Sequence, residues 1–357
     1  MQSLYIMSTT DYSGKSLLSL GLGLKLKEMG RRIGYFKPFG RLATRVEGMI
    51  TDKDAYVMKD VLGLDEPLAD LCPIVLTRDL LLEGLRGEKM ELMALMKEAY
   101  ARVSKDKDFV IVGGAGNMFD GLFLGVGGMQ VAESLDAKVI LIDSRDFLKD
   151  ETFVDTIMVA KGMLGDRLLG AVVNNISRET REFVLEFVSP FLEKKGVKVF
   201  GIIPHDDLLG SVTIKELAEA LSGRVLCASS AADTLVESFQ IGAMDAPTAQ
   251  KHLRRIKNNA LITGGQRTEM IMAALETPTR CIILTGGHIP SQQVIASADR
   301  AAVPLVSVRM NTLEATERLE KVMGRVRLGE RQKVERARRL LDKWFKFDEL
   351  FKDLGIS

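Results

Sequence analysis

Near the start of the chain, Ser8 to Leu18 read STTDYSGKSLL. Gly14-Lys15-Ser16 is the closing half of a phosphate-binding pattern, G-x-x-x-x-G-K-[ST], with Thr9 where the first glycine usually stands. Such a loop works because successive backbone N–H groups, a helix N-terminus and one lysine surround a polyphosphate. Thr10, Asp11, Tyr12, Ser13, Gly14, Lys15, Ser16 and Leu17 are therefore the expected nucleotide contacts. Lys15 would reach the β- and γ-phosphates and the Ser16 hydroxyl a Mg2+ ion, so ATP or a related nucleotide with Mg2+ is the expected cofactor pair. The plainer alternative is a helix start capped by Ser13, with Lys15 in solvent.

Further polar residues fall at the ends of apolar runs. GYFKPFG carries Lys37-Pro38, MITDKDAYVMKD carries Asp52 and Asp54 just ahead of a helical stretch, and GAVVNNIS carries Asn174 and Asn175. To bring such groups together, the chain must set strand ends side by side. Residues 1–210 have the pattern for it. Strands are expected at Ser3–Met7, Ile33–Lys37, Phe109–Val112, Val139–Asp143, Leu169–Asn174 and Val199–Ile203. Helices are expected at Lys15–Met29, Asp54–Val61, Met90–Val103, Gly128–Leu135, Phe153–Met163 and Arg178–Lys195. Short apolar runs separated by amphipathic stretches predict an α/β fold, a parallel sheet with helices on both faces.

Residues 211–325 predict a smaller α/β unit, with the boundary between Pro204 and Gly223. NALITGGQRTEMIMAAL and CIILTGGHIPSQQVIASA echo each other, each a strand, a Gly-Gly turn and a helix. Gly264-Gly265 and Gly286-Gly287 would let a ligand approach the backbone, or simply make tight turns. Thr263, Arg267, Thr268 and His288 would surround such a ligand, with Arg267 able to clamp a phosphate or carboxylate. His288 beside Pro290 reads more simply as a turn residue. Residues 326–357 predict one amphipathic helix or two short ones, with an Arg336, Arg338, Arg339 patch.

The bulk composition narrows the function. A chain of 357 residues suggests two domains at about 150 residues each. The net charge of +1 gives no bulk case for nucleic acid or an anionic membrane. Cys72, Cys227 and Cys281 are far apart, and the three histidines are not paired at ligand spacing. No apolar run reaches the roughly 20 residues of a membrane span, and no secretory leader is read at the start. A cytoplasmic homo-oligomer binding a nucleotide or another small molecule is expected.

Taken in order, STTDYSGKS, YFKP, DKDA, VIVGGAG, GAVVNN and FGIIP resemble the dethiobiotin synthetase-like P-loop proteins. They resemble more closely the N-terminal domain of long phosphotransacetylases; cobyrinic acid a,c-diamide synthases belong to the same wider group. ESFQIGAM, NALITGGQRTEM, CIILTGGHIPSQQV and VPLVSVRMNTLEATERLEKV are similar to the DRTGG domain. The resemblance implies that Lys15 binds ATP phosphates and that Ser16 and Asp54 hold Mg2+. It implies that Lys37 supports the phosphates and a substrate carbamate, a catalytic role, and that Asn174, with Asn175 beside it, reads adenine.

Two departures temper the implied chemistry. Dethiobiotin synthetases usually carry a metal-binding glutamate where this chain has Gly113, and small hydroxylated residues where it has Phe39-Gly40-Arg41. Asp120 is the nearby carboxylate that would substitute. With the acetyl-transferring domain not expected within these 357 residues, the resemblance implies a nucleotide-binding regulatory or sensor protein with weak or no catalysis. The alternative is a Mg-ATP-dependent ligase or phosphotransferase acting on a carboxylate.

Overall fold

The computed structural model describes residues 2–88, 90–144, 152–323, 328 and 330–356. Two compact units are present, Met1–His205 with Leu328–Ser357, and Asp206–Arg327.

The first unit holds the strands β1 (Gln2–Met7), β2 (Ile33–Phe36), β3 (Ala43–Val46), β4 (Met49–Asp52), β5 (Phe109–Gly113), β6 (Lys138–Asp143), β7 (Leu168–Ile176) and β8 (Lys198–Pro204). Six of them make a parallel sheet in the order β2-β5-β1-β6-β7-β8. Leu4 to Met7 and all of β5 are buried, because central strands of a sheet covered on both faces need apolar residues at consecutive positions. Between the strands lie α1 (Lys15–Glu28), α2 (Lys53–Leu62), α3 (Leu68–Leu71), α4 (Arg78–Leu85), α5 (Leu92–Ser104), α6 (Gly128–Ser134), α7 (Phe153–Leu164), α8 (Arg178–Phe183) and α9 (Ser189–Lys194).

Several local features differ from the sequence expectation. β3 and β4 form a hairpin that periodicity alone did not reveal. Its two-residue turn, Glu47-Gly48, has positive φ at both positions, the twist that suits adjoining strands. The helix expected at Arg178–Lys195 is interrupted by a π-turn at Val184–Val188. Pro190 has no N–H to donate to the preceding turn, which opens the helix there.

The second unit contains α10 (Asp207–Gly210), α11 (Ile214–Ala220), α12 (Ala246–Leu253), α13 (Thr268–Leu275), α14 (Gln292–Arg300) and α15 (Thr312–Val322). Its strands are β9 (Val212–Thr213), β10 (Arg224–Val225), β11 (Leu235–Val236), β12 (Ser238–Ile241), β13 (Asn259–Gly264), β14 (Thr279–Thr285) and β15 (Leu305–Ser307). β12 to β15 run parallel, β10 pairs antiparallel at the β15 edge, and β9 pairs with β11. Alternate residues of the sheet feed two cores. Ala260, Ile262, Cys281 and Ile283 pack with α11 and α15, while Leu261, Ile282 and Leu284 pack with α12, α13 and α14. Cys281 is fully buried, and burial pushes its thiol well above the usual range.

The tail forms α16 (Arg331–Trp344) and α17 (Phe347–Asp353) and belongs to the first unit. Leu341 packs against Gly21 of α1, where a Cβ would collide with it. Lys346 N–H donates to the Phe200 carbonyl of β8 at 2.7 Å. The arginine patch is partly spent inside the unit, as Arg338 pairs with Glu28 at 2.9 Å and Arg339 with Glu335 at 2.9 Å. No helix among the described residues is long and apolar enough to cross a membrane.

Candidate functional site

β1 lies between β5 and β6, so the loop leaving it at Ser8 emerges at the carboxyl edge of the sheet centre. The loop turns into α1 through Gly14, whose φ of 101° is left-handed and favours glycine. A Cβ there would also press into the Asn174 amide. Gly14, not Ser13, is the N-cap, and no side chain caps α1. The first N–H groups of the helix therefore face the loop without a side-chain acceptor, the arrangement that receives an anion.

The loop is braced from β6. Asp143 is buried and accepts hydrogen bonds from Thr9 and Thr10, the latter at 2.6 Å. The Ser13 hydroxyl donates to the Thr10 carbonyl at 2.8 Å, and Asn174 Nδ2 to the Ser13 carbonyl at 2.9 Å. Asp143 was not among the expected site residues. A carboxylate closing the strand beside β1 is the signal that pointed to it.

Lys15, Ser16, Lys37 and Asp54 converge. Lys37 is buried, with Nζ 2.6 Å from Asp54 Oδ2 and 3.1 Å from Asp52 Oδ1. The Ser16 hydroxyl is close enough to help hold the Asp54 carboxyl low. Asp52, the N-cap of α2, accepts the Asp54 N–H at 2.9 Å and the Leu42 N–H at 2.9 Å, so the hairpin and α2 fix the pair. Burial alone would lower the Lys37 ammonium, but the two carboxylates hold it well above its ordinary value. Burial likewise works to raise Asp54, and Lys37 with Ser16 outweighs it and keeps the carboxyl low. Lys15 moves the other way, to about 8, through burial and the Lys37 charge. Its Nζ bonds the Ser8 hydroxyl at 2.6 Å and the Gly116 carbonyl.

The other expected contacts divide. Leu17 is buried, so it offers the loop only its backbone. Tyr12 is exposed with a φ of 57°. Asp11 accepts from Asn117 Nδ2 at 3.2 Å and lies 3.6 Å from Arg41. Asn175 bonds His205 Nδ1 at 2.6 Å, whereas Asn174 bonds the loop.

The β5 end lacks a carboxylate for a steric reason as well as a sequence one. A Cβ on Gly113 would overlap the buried Tyr35 ring, 2.8 Å from Cζ, with the hydroxyl closer still. Asp120 does not replace that carboxylate freely. It holds Arg41 Nη1 at 2.9 Å and accepts the Asn117 N–H at 2.9 Å. Among the described residues no three His, Cys, Asp or Glu side chains gather as a metal cage. Ser16 and Asp54 supply two hard oxygen donors, a set that fits Mg2+ completed by phosphate oxygens and water.

Residues 2–213 match the family described as AAA domain, and residues 216–322 the family described as DRTGG domain. The phosphate acetyltransferase of Pseudomonas aeruginosa is 24% identical over 359 residues, covering 94% of this chain and 50% of that protein. The ATP-dependent dethiobiotin synthetase of Clostridium kluyveri is 25% identical over 187 residues, 50% of this chain and 76% of that one. Among solved structures, cobyrinic acid a,c-diamide synthase from Mycobacterium smegmatis with bound ATP analog and magnesium is 20% identical, with a TM-score of 0.37, covering 58% of this chain and 88% of that one. The chain spans about half the length of the phosphate acetyltransferases it matches. Motif order, sheet topology and both domain matches agree, and the chain belongs to the AAA domain family in its dethiobiotin synthetase-like P-loop form, joined to a DRTGG domain as in the N-terminal region of long phosphotransacetylases.

Proposed function

We propose that this chain is an ATP-type nucleotide-binding regulatory unit with weak or no catalysis of its own. The observation that carries the reading is the cluster of Lys15, Ser16, Lys37 and Asp54 at the uncapped start of α1. The α1 amides and Lys15 would take the phosphates. Ser16 and Asp54 would hold Mg2+, which supplies charge neutralisation between the phosphates. Lys37 is held in place by its two aspartates and keeps its charge beside them. Asn174 gives its N–H to Ser13, which leaves Oδ1 to accept from an adenine amino group.

Weak catalysis is inferred from the β5 end. With Tyr35 filling the place beside Gly113, no carboxylate from that strand reinforces the metal, and transition-state charge is less well compensated. The second reading, a Mg-ATP-dependent ligase or phosphotransferase, is favoured by the intact Lys37–Asp54 pair. Phosphate release from ATP with Mg2+, alone and with small mono- and dicarboxylates, tests the choice. The regulatory reading expects release no faster than in Lys15→Ala. Release that collapses in Lys15→Ala and Asp54→Ala, with a phosphorylated or ligated product, overturns it in favour of the enzyme.

A further inference from the structure

A cavity of about 430 Å³ opens at the carboxyl ends of β12, β13 and β14 in the second unit. That volume lies within the usual range for small-molecule sites. The position is also where ligands bind on open parallel sheets, in the crevice beyond the strand ends. Ile241 and Ile262 form its apolar side, and Thr285, Thr312, Arg267 and His288 its polar side.

The wall is positively charged through Arg267, and no aspartate or glutamate lines it among the described residues. α15 starts here, with Thr312 at its first position. Asn311 and Glu314 form a capping box that satisfies the Asn311 and Glu314 amides, which leaves the Thr312 and Leu313 amides for another acceptor. Glu314 is acidic, but it lies outside the cavity wall. The Thr285 hydroxyl lies 3.3 Å from the Thr263 carbonyl and 3.0 Å from the Thr312 hydroxyl. When Thr285 donates to the Thr312 oxygen instead of that carbonyl, the Thr312 proton is free to turn to a ligand. Thr263, also at the wall, is buried and its own hydroxyl has no partner among the described residues.

Arg267 does not present a free fork. Its two terminal nitrogens donate to the carbonyls of Gly242 and Met244, the latter at 2.6 Å. It therefore latches the loop after β12 across the cavity and brings its charge to the wall. We propose that this cavity is a second ligand site, separate from the P-loop, which takes a small phosphorylated molecule. The phosphate sits at the start of α15 against Thr312, and the carbon skeleton lies toward Ile241 and Ile262.

The test is amide hydrogen exchange of the full chain, read on peptides spanning 262–268, 285–288 and 311–316. Exchange is compared in inorganic phosphate, in acetate and in chloride at matched ionic strength. Phosphate should slow these peptides by about threefold or more, acetate much less. The protection should persist in Lys15→Ala, which disables only the P-loop, and in Thr312→Ser. It should vanish in Thr312→Glu, which places a carboxylate where the phosphate sits but suits the first turn of a helix, so the fold is kept. No slowing by phosphate, slowing by acetate instead, or protection that survives Thr312→Glu overturns the proposal.

Discussion

At the residue scale the two lysines share one site and titrate in opposite directions. Lys37 is pinned by Asp52 and Asp54, and Lys15 is left to about 8 by burial and by Lys37. A polyphosphate at the loop favours the charged form of Lys15 and draws its pKa back up. Nucleotide binding near pH 8 should therefore take up protons, which calorimetry in buffers of different ionisation enthalpy would detect. Release of protons, or equal uptake in Lys15→Ala, contradicts the assignment. The same shift has a consequence for stability. Below about pH 8 the charged Lys15 costs the folded state free energy, and the cost is relieved as pH rises toward the ordinary lysine value. Lys15→Met should thus be at least as stable as the parent at neutral pH in urea unfolding, while losing nucleotide.

Gly113 is the other telling residue. The sequence alone makes Gly113→Glu look like a route to a better metal site. The Tyr35 ring blocks it, so the single substitution should cost about 2 kcal/mol by overpacking and gain no Mg2+ affinity. Combining it with Tyr35→Ala should recover part of the stability and raise Mg2+-dependent ATP affinity. A stable, tighter-binding Gly113→Glu single variant would show that Tyr35 does not govern this position.

At the element scale, the hairpin, β4 and the start of α2 exist to hold a buried ion group. Asp52 is fully buried, so Lys37→Met leaves it without its cation, a loss of about 3–5 kcal/mol in unfolding free energy. Asp54→Asn should be milder, because Asp52 still caps α2 and still pairs with Lys37. Its expected mark is ATP binding that no longer responds to Mg2+. The tail makes a separate prediction. Leu341 is fully buried against α1, so Leu341→Ala should cost about 3 kcal/mol and lower the melting temperature of the first unit. A neutral result would mean that α16 is not part of its core.

The elements also show what could be read in advance. Strands β1, β5, β6 and β8 were legible because buried parallel strands are continuous apolar runs. The β3–β4 hairpin was not, since Glu47-Gly48 is a weaker turn signal than Asn-Gly and each strand has only four residues. α4 has no buried residue, so its apolar stripe carries no packing information. Motif order singled out the loop, Lys37, Asp54 and Asn174, and the fold brings these residues together. Asp143 could have been suspected from its place at a strand end, but its bracing of the loop, like the Tyr35–Gly113 conflict, depends on contacts between residues far apart in sequence. Where the tail would pack was hidden for the same reason.

At the scale of the whole molecule, two α/β units each carry, at the carboxyl edge of a parallel sheet, a place proposed to receive an anion. The first gathers Lys15 and Lys37 with Ser16 and Asp54, the pair proposed to hold Mg2+; the second gathers hydroxyls, an arginine and a helix start. In the proposed reading the first binds Mg·ATP through Lys15. Calorimetric titration of the full chain with ATP and Mg2+ tests it most directly. Saturable binding is expected, weakening at least about 100-fold in Lys15→Ala and reduced by removing Mg2+. No binding, or binding equally tight in Lys15→Ala, would contradict it.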